Sequence, residues 1–401
     1  MAENFRDIVD RTVEENADKF WEVALDFFEH PQIKFEETYA SAKCRELLAE
    51  GGLEVSQPKG DLPTSFLGTH STGEGPAVGI LCEYDALPVL GHACGHPLIA
   101  TAGVLAGWAA AKAMDACGVK GTIQIFGTPA EEDGAGKDVM LQAGAFENTD
   151  AVLLCHPTTK MTRAAGGCCS SINGTVTFTG APAQAQSHPD QGINAMDAVA
   201  LMQAAVGMAR QQLPDSIHIA LVIREISHDI ISIPERAVVD FCVSSIGAAS
   251  RVRRGLDTIR RIAEGCAIAT GCQWSYEEQQ SGFYLGRLEN ETIGAVLREE
   301  IRGTGEPCQD GLPIDQGGED FGNVSRVVPG VQMFGSLLLE RKVSGHTEEF
   351  KQLAMSEAGR HCMVTCAKSM ARTALALMEQ PELVEAAKAE MHERLAAENE
   401  E

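Results

Sequence analysis

Three short stretches of this chain carry side chains able to hold a metal ion or move a proton. "GHACGHPLIA", residues 91–100, sets His92, Cys94 and His96 on alternate positions of a glycine-flanked segment. "GTPAEEDGAG" carries the adjacent carboxylates Glu131 and Glu132, and "LLCHP" carries His156. Several chemistries are open to the first stretch. A closed structural zinc site needs four ligands, usually as two Cys/His pairs, and no second pair lies at a matching spacing. A cysteine nucleophile needs a facing base and an oxyanion hole, which neighbouring histidines on one loop do not supply. Ordinary packing explains a buried cysteine, but not two histidines beside it. An open metal site fits the wider inventory. Adjacent carboxylates on an extended segment point in different directions, so one can bind metal while the other faces the substrate water. An isolated Glu-Glu pair is most often a solvated loop; its company with Cys94, His96 and His156, each expected at a strand exit, favours the metal site.

These residues need a scaffold, and the surrounding pattern describes one. Residues 4–50 read as helix, with "KFWEVALDFFEHP" and "ETYASAKCRELLAEGG" each stopped by Pro or Gly. Short apolar runs then alternate with helical stretches: "AVGILC", "LIATAGVLAGWAAAKAM", "TIQIFG", "GKDVMLQAGAF" and "AVLLCHP". That alternation predicts an α/β domain with a mixed, largely parallel sheet flanked by helices and active-site loops at the strand ends. The middle block changes character. "INGTVTFTG", "NAMDAVALMQAAVGMARQQL", "IHIALVIREI", "AVVDFCVSS", "RVRRGLDTIRRIAEGCAIATG" and "CQWSY" read as β, α, β, β, α and β, the order of a ferredoxin-like unit. From about Leu288 helix and strand patterns resume, ending in "VQMFGSLLL". The expected organisation is a catalytic domain of residues 1–166 and 283–401, interrupted by a lid of residues 167–282.

Composition limits the partners. With 401 residues, 44% of them hydrophobic, the chain is long enough for two globular domains. Its net charge of −25 argues against nucleic acid or an anionic membrane, and leaves a small-molecule substrate as the expected partner. No run of about 20 apolar residues is evident, so no span of a bilayer is expected. The opening "MAENFRDIVDRTVEENADKF" lacks the layout of a secretory signal, which makes the cytoplasm the expected location. The thirteen cysteines are scattered and odd in number; most are expected to be buried free thiols, and adjacent Cys168 and Cys169 make a poor bridge. The terminal "AAKAEMHERLAAENEE" reads as a solvated, fraying helix.

On these motifs the chain resembles the dinuclear metallopeptidases and amidohydrolases that include aminoacylases, glutamate carboxypeptidases and amino-acid-conjugate hydrolases. The segments "HPQIKFEETYASAKCRELLAEGGLEV", "CEYDALPVLGHACGHPLIA", "GTPAEEDGAGK", "LLCHP", "INAMDAV" and "EDFGNVSRVVPG" follow the family's order over nearly the whole chain. The resemblance implies that Cys94, His96, Glu132 and His156 are metal ligands, with Cys94 where other branches have a bridging carboxylate. It implies that His346, in "SGHTEEF", returns from the last block as a far-side ligand. Glu131 would be the general base that takes a proton from the attacking water and delivers it to the leaving nitrogen. Asp85, in "EYDAL", would orient a ligand histidine, and His92 would play a structural part. A Lewis-acidic ion lowers the pKa of water from about 16 toward about 7, and a pair of ions sits roughly 3.5–4 Å apart. Mixed thiolate, imidazole and carboxylate donors suit a divalent metal, Mn or Zn, with one or two ions per subunit.

The lid departs from the family's pattern. After "VTFTG" the family has a histidine that crosses to the second subunit's active site and stabilises the amide oxyanion, where this chain has Gln184. Three residues before the Pro of "IISIPE" the usual Asn is Ile231, and thirteen positions on the Arg that grips a substrate α-carboxylate is Ser244. Losing an oxyanion donor costs an amidase on the order of 10²- to 10³-fold. The reading that follows is an active hydrolase for an atypical substrate, with deamination of an activated aromatic amine such as a nitroanthranilate, and release of ammonia, as the leading case. Two alternatives stand beside it. One is an amidohydrolase or dipeptidase whose rebuilt pocket uses His188 or Arg224; the other is a non-catalytic binding protein on the same scaffold. The resemblance also implies a homodimer through the lid, and the lid helix has apolar residues on more than one face, which permits burial at an interface.

Overall fold

The computed structural model describes residues 4–60, 62–226, 229–279, 283–337 and 341–400. In chain order the first elements are α1 (Phe5–Glu29), α2 (Thr38–Glu50), β1 (Glu54–Ser56), β2 (Phe66–Ser71), β3 (Ala77–Cys82), α3 (His96–Cys117), β4 (Thr122–Gly127), α4 (Gly136–Gln142), β5 (Ala151–Thr158) and β6 (Arg163–Ala164). There follow β7 (Cys169–Thr179), α5 (Ala195–Ala209), β8 (Ile217–Ile226), β9 (Arg236–Ile246), α6 (Ala249–Thr270) and β10 (Gln273–Glu278). The last are α7 (Glu291–Gly303), α8 (Phe321–Ser325), β11 (Gly330–Ser336), α9 (Glu348–Ala354), α10 (Glu357–Glu379) and α11 (Pro381–Glu400).

The chain divides into two units. The larger holds the residues up to Gly167, then Arg287–Asp315 and Glu319–Ala397. The smaller is formed chiefly by Cys168–Gly286, with Gln316–Gly318. Phe283–Gly286 thus groups with the smaller unit, because Tyr284 and Ser171 exchange main-chain hydrogen bonds of 2.7 and 3.0 Å. Gly282, the lid boundary read from the sequence, and Leu338 and Leu339 of the last apolar run lie outside the described residues.

The larger unit is a seven-stranded mixed sheet in the order β1-β2-β4-β3-β5-β11-β6. Its centre, β4-β3-β5-β11, is parallel, and the flanking pairs β1-β2, β2-β4 and β11-β6 are antiparallel. The central strands read as continuous apolar runs because helices cover them. Helices α3 and α10 pack on each other and on β3 and β5, and α1 packs on both. Close approach of α3 depends on two glycines: a Cβ at Gly103 would lie 2.4 Å from the Cys82 sulfur, and one at Gly107 2.6 Å from the Ile125 side chain.

Two sequence expectations are corrected here. Helix α3 is long and apolar enough to cross a membrane by length and composition, contrary to the reading that no such run exists; 89% of its apolar window is buried inside the fold, as a core helix requires. The acidic C-terminal helix α11 is docked rather than solvated all round. Val384, Ala387 and Met391, spaced three and four apart, are buried. On α11 the Ala387 carbonyl accepts from Asn290 at 2.9 Å, and Glu390 accepts from the main-chain N–H groups of Glu291 and Thr292 that open α7.

The smaller unit is a four-stranded antiparallel sheet, β10-β7-β9-β8, in a βαββαβ chain order, the ferredoxin-like arrangement. Val176, Phe178, Val239, Phe241 and Val243 alternate onto the face covered by α5 and α6, where they meet Met202, Val206, Ile259 and Ala263. Asp240, Cys242 and Ser244 alternate onto the opposite face.

Candidate metal centre

Every ligand candidate from the sequence lies in the larger unit, and the fold brings them together. Cys94 sits on the loop between β3 and α3, and His96 is the first residue of α3. Gly95 makes that junction, with φ +86° and a site where a Cβ would fall 2.6 Å from the Pro157 ring. Only glycine accepts both constraints without strain. The result sets Cys94 Sγ 3.2 Å from His156 Nε2. His156 lies within β5 rather than beyond its end, so the strand itself presents the imidazole.

The carboxylate pair is also placed differently from the extended segment expected. Residues 131–134 form a turn, entered through Ala130 at φ +60° and pinned by its N–H donating to Glu37 Oε1 at 2.9 Å. In that turn the two carboxylates converge: Glu131 Oε2 and Glu132 Oε1 each lie 3.8 Å from His96 Nε2. His346 arrives from the last block at φ +58°, a left-handed conformation that histidine tolerates at a cost of about 1 kcal/mol. Its N–H donates to the Ala93 carbonyl at 3.0 Å, and its Nε2 lies 3.4 Å from Glu132 Oε2.

Hydrogen bonds fix which nitrogen of each buried histidine is left to bind. The His96 Nδ1 lies 2.8 Å from the Asp85 carbonyl oxygen and 3.1 Å from its carboxylate; the His156 Nδ1 lies 2.8 Å from the Pro157 carbonyl oxygen. A carbonyl only accepts, so both Nδ1 atoms carry the proton and both Nε2 lone pairs face the cluster. His96 Nε2 and Glu132 Oε1 are buried without a hydrogen-bond partner, the state expected of atoms shaped for an ion. Two donor trios result, Cys94–His96–His156 and Cys94–Glu132–His346, each with its atoms within 4.8 Å of one another and sharing Cys94. The donor set fits two divalent ions, and Cys94 belongs to both trios.

The electrostatics point the same way. Glu83 and Asp320 flank the buried ammonium of Lys137, and Glu83, Asp85, Glu131 and Glu132 all lie within 4 Å of the buried His96 ring. Burial, then the charges of Glu83 and Glu132, pushes the Glu131 carboxyl well above the usual range. Burial likewise raises the Cys94 thiol, with Glu132 and Glu131 adding to it, so a thiolate forms here only against positive charge. Burial alone would lower His96, but Asp85 and then Glu83 and Glu132 carry it up to about 10. Divalent ions supply the missing counter-charge. His92 stands apart from both trios: it is buried, and desolvation pushes it down to about 3.

The substrate candidates all lie in the smaller unit. Gln184 Oε1 accepts from Gln186 N and Ser187 Oγ, both at 2.8 Å, so its carboxamide oxygen closes its own turn. His188 is exposed on that same turn, its N–H donating to the Gln184 carbonyl. Ile231 is half exposed, and its carbonyl accepts from Ala185 N at 2.8 Å, which brings the Gln184 and Ile231 segments side by side. Arg224 lies 3.4 Å from Asp240, and Ser244 is half-buried opposite Ser171 and His218.

Residues 83–376 match peptidase family M20/M25/M40, which is 73% of the chain's length. The chain belongs to that family. Along its length it is 30% identical to the Xaa-Arg dipeptidase of Mus musculus, over 96% of this chain and 92% of that one. It is 28% identical to a component of the p-aminobenzoyl-glutamate hydrolase of Escherichia coli, over 77% of this chain and 66% of that one. A dinuclear metal-binding M20 peptidase of Bacillus subtilis has the same fold, with a TM-score of 0.69, 19% identity and coverage of 91% of this chain and 99% of that one. So has an aminobenzoyl-glutamate utilization protein of Klebsiella pneumoniae, with a TM-score of 0.70, 17% identity and coverage of 93% and 99%. This M20 protein is a metal-dependent C–N hydrolase whose relatives act on amide or peptide bonds, and the binding-protein alternative is set aside.

Sequence reading missed Glu83, Lys137, Asp320 and Glu37. Glu83 had a local signal, two residues before Asp85 and directly after β3, whereas Lys137 and Asp320 meet across 183 residues.

Proposed function

We propose that this M20 hydrolase releases ammonia from a small activated aromatic amine, of which a nitroanthranilate is the model compound. One contrast carries the reading: the donors for two ions converge, while positions 184, 231 and 244 offer a turn-closing carboxamide, an alkyl group and a hydroxyl. None of these three positions carries a cation to pair with an α-carboxylate or an imidazole to meet an amide oxyanion. Arg224, which could have replaced the lost guanidinium, lies beside Asp240.

In this reading Cys94, His96, Glu132, His156 and His346 hold the ions, Mn or Zn. When bound, the ions supply Lewis acidity that lowers the pKa of water toward about 7. Asp85 holds His96 with Nε2 forward. Glu131 takes a proton from the attacking water and hands it to the departing nitrogen, a part favoured by a carboxyl that burial and the charges of Glu83 and Glu132 raise above its usual range. Addition to the ring carbon sends negative charge into an electron-withdrawing substituent, so no amide oxyanion has to be stabilised. The protein further assembles as a homodimer through the smaller unit, which exposes Leu201 and Met208 on α5 and Val222 on the edge strand β8.

A second reading, a dipeptidase with a rebuilt pocket, is favoured by the full-length similarity to Xaa-Arg dipeptidase. A panel of nitro-substituted anilines, N-acyl amino acids and dipeptides, scored for ammonia and for free amino acid, separates the two. Ammonia from the anilines alone supports the deaminase; free amino acid from dipeptides alone replaces it with the dipeptidase. Glu131→Gln is expected to lose about 10²- to 10⁴-fold in kcat on the true substrate with metal content unchanged.

A further inference from the structure

Lys137 has no exposed surface, a costly position for an ammonium unless carboxylates surround it. Its Nζ lies 2.6 Å from Asp320 Oδ1 and 2.6 Å from Glu83 Oε1. The other Asp320 oxygen accepts from the Lys137 main-chain N–H at 2.9 Å, so Asp320 fixes the lysine at both ends. Glu83 meets the lysine through Oε1. Its Oε2 lies 3.6 Å from His96 Nε2, and Glu83, His96 and Glu131 form a third donor group with atoms within 4.8 Å of one another.

That 3.6 Å separation is too long for a hydrogen bond. It is the spacing of two donors on one ion: bonds of about 2.0–2.2 Å opened by 90–120° put their ends roughly 3–3.7 Å apart. The orphaned lone pair of His96 is on the same side. Resting on the metal reading above, we propose that Glu83 is an additional ligand of the ion bound at His96 Nε2, and that Lys137 is the positioning residue that fixes its carboxylate there.

The consequence is an asymmetric pair. The ion at His96 gains a carboxylate, whereas the Cys94–Glu132–His346 ion already has one. Lys137 occupies one oxygen of Glu83, so the contact is through a single oxygen. Glu131, in the same group, keeps the proton-transfer part assigned to it above.

The test uses the full-length protein, stripped by chelation and titrated with Co²⁺ alone, reading stoichiometry by calorimetry and ligand field by absorption. The unsubstituted protein takes up two equivalents. Glu83→Gln is expected to bind one equivalent unchanged and the other at least about 100-fold more weakly, with altered d–d bands but a retained Cys94 thiolate band. Lys137→Met is expected to weaken the same ion by about 10- to 100-fold, the size of an outer-sphere effect. The double variant should bind no more weakly than Glu83→Gln alone, because the lysine acts through that carboxylate. Should Glu83→Gln fail to fold, Glu83→Asp keeps the charge beside Lys137 while withdrawing the oxygen from His96, and is expected to show the same selective loss. Two equivalents bound by Glu83→Gln with unchanged affinity and spectrum would overturn the proposal and leave the metal reading intact. No uptake by the unsubstituted protein would overturn both.

Discussion

The two units solve the problem of folding with opposite materials. The larger buries Glu37, Glu83, Asp85, Lys137 and Asp320 beside its metal donors, together with His92 and His96. Among the described residues of the smaller unit, the buried polar side chains are Ser170, Ser245 and Thr258, with no buried carboxylate, ammonium, guanidinium or imidazole. Buried charge costs stability unless it is paired, and the larger unit accepts that cost both at its metal donors and at Arg298, Glu300 and Arg372, which pair with Glu291, Arg6 and Asp10. The smaller relies on apolar packing, and its candidate substrate positions sit at half-buried or exposed sites. Chemistry is therefore expected to be hard to alter in the larger unit, and specificity easy to alter in the smaller.

Metal removal tests the first half of that contrast most severely. Chelation is expected to abolish turnover and to lower the thermal midpoint, since each ion present at a hundredfold excess over its Kd contributes about 2.7 kcal/mol. Activity that survives exhaustive chelation would break the comparison. Phe178→Ala tests the other half. Phe178 is fully buried in the smaller unit's core, and truncation there is expected to cost about 3–5 kcal/mol in chemical denaturation while metal uptake stays as it was.

How much of this was readable in advance follows from where the signals lie along the chain. Cys94, His96 and His156 stood out because metal-binding residue types at strand ends are local features, and the βαββαβ order showed through because each of its elements carries its own period. The tether of Lys137 was hidden, since buried charges pair across the sequence and a lone lysine after "GAG" looks like any surface lysine. The turn at Ala130 was misread as extended: nothing in "PAEED" announces a left-handed alanine, which is held in place by Glu37 from a segment 93 residues away. The docked stripe of α11 was masked by the acidic residues between its members.

Glu37 offers a sharper probe of buried charge. Burial pushes its carboxyl up to about 7 from an ordinary 4.5. Between those values the folded protein holds a proton that the unfolded chain releases, so stability falls as pH rises from about 4.5 to 7 and then levels off. The difference corresponds to at most about 3 kcal/mol. Glu37→Gln keeps the acceptor for Ala130 N–H and removes the ionisation. It is expected to match the unsubstituted protein near pH 4.5 and to exceed it at pH 8, in urea melts taken across that range. Parallel pH profiles would show that Glu37 does not carry this cost.

The smallest stability effect and the most informative change in activity are expected at Ser244. It is half-buried, lies on the sheet face opposite α5 and α6, and faces Ser171 and His218 on the neighbouring strands. Substitutions at such surface positions usually move stability by about 0.5 kcal/mol or less. Ser244→Arg, alone or with Gln184→His and Ile231→Asn, puts back the groups that the family resemblance assigns to an α-carboxylate and an amide oxyanion. If the natural substrate lacks both, the triple variant should gain hydrolysis of N-acyl amino acids, with the single variant acting mainly through a lower KM. Deamination of the aromatic amine should not improve. A triple variant that folds, keeps two ions and still leaves acyl amino acids untouched would mean that these three positions do not set specificity, and that the smaller unit's polar surface is as inert as its core.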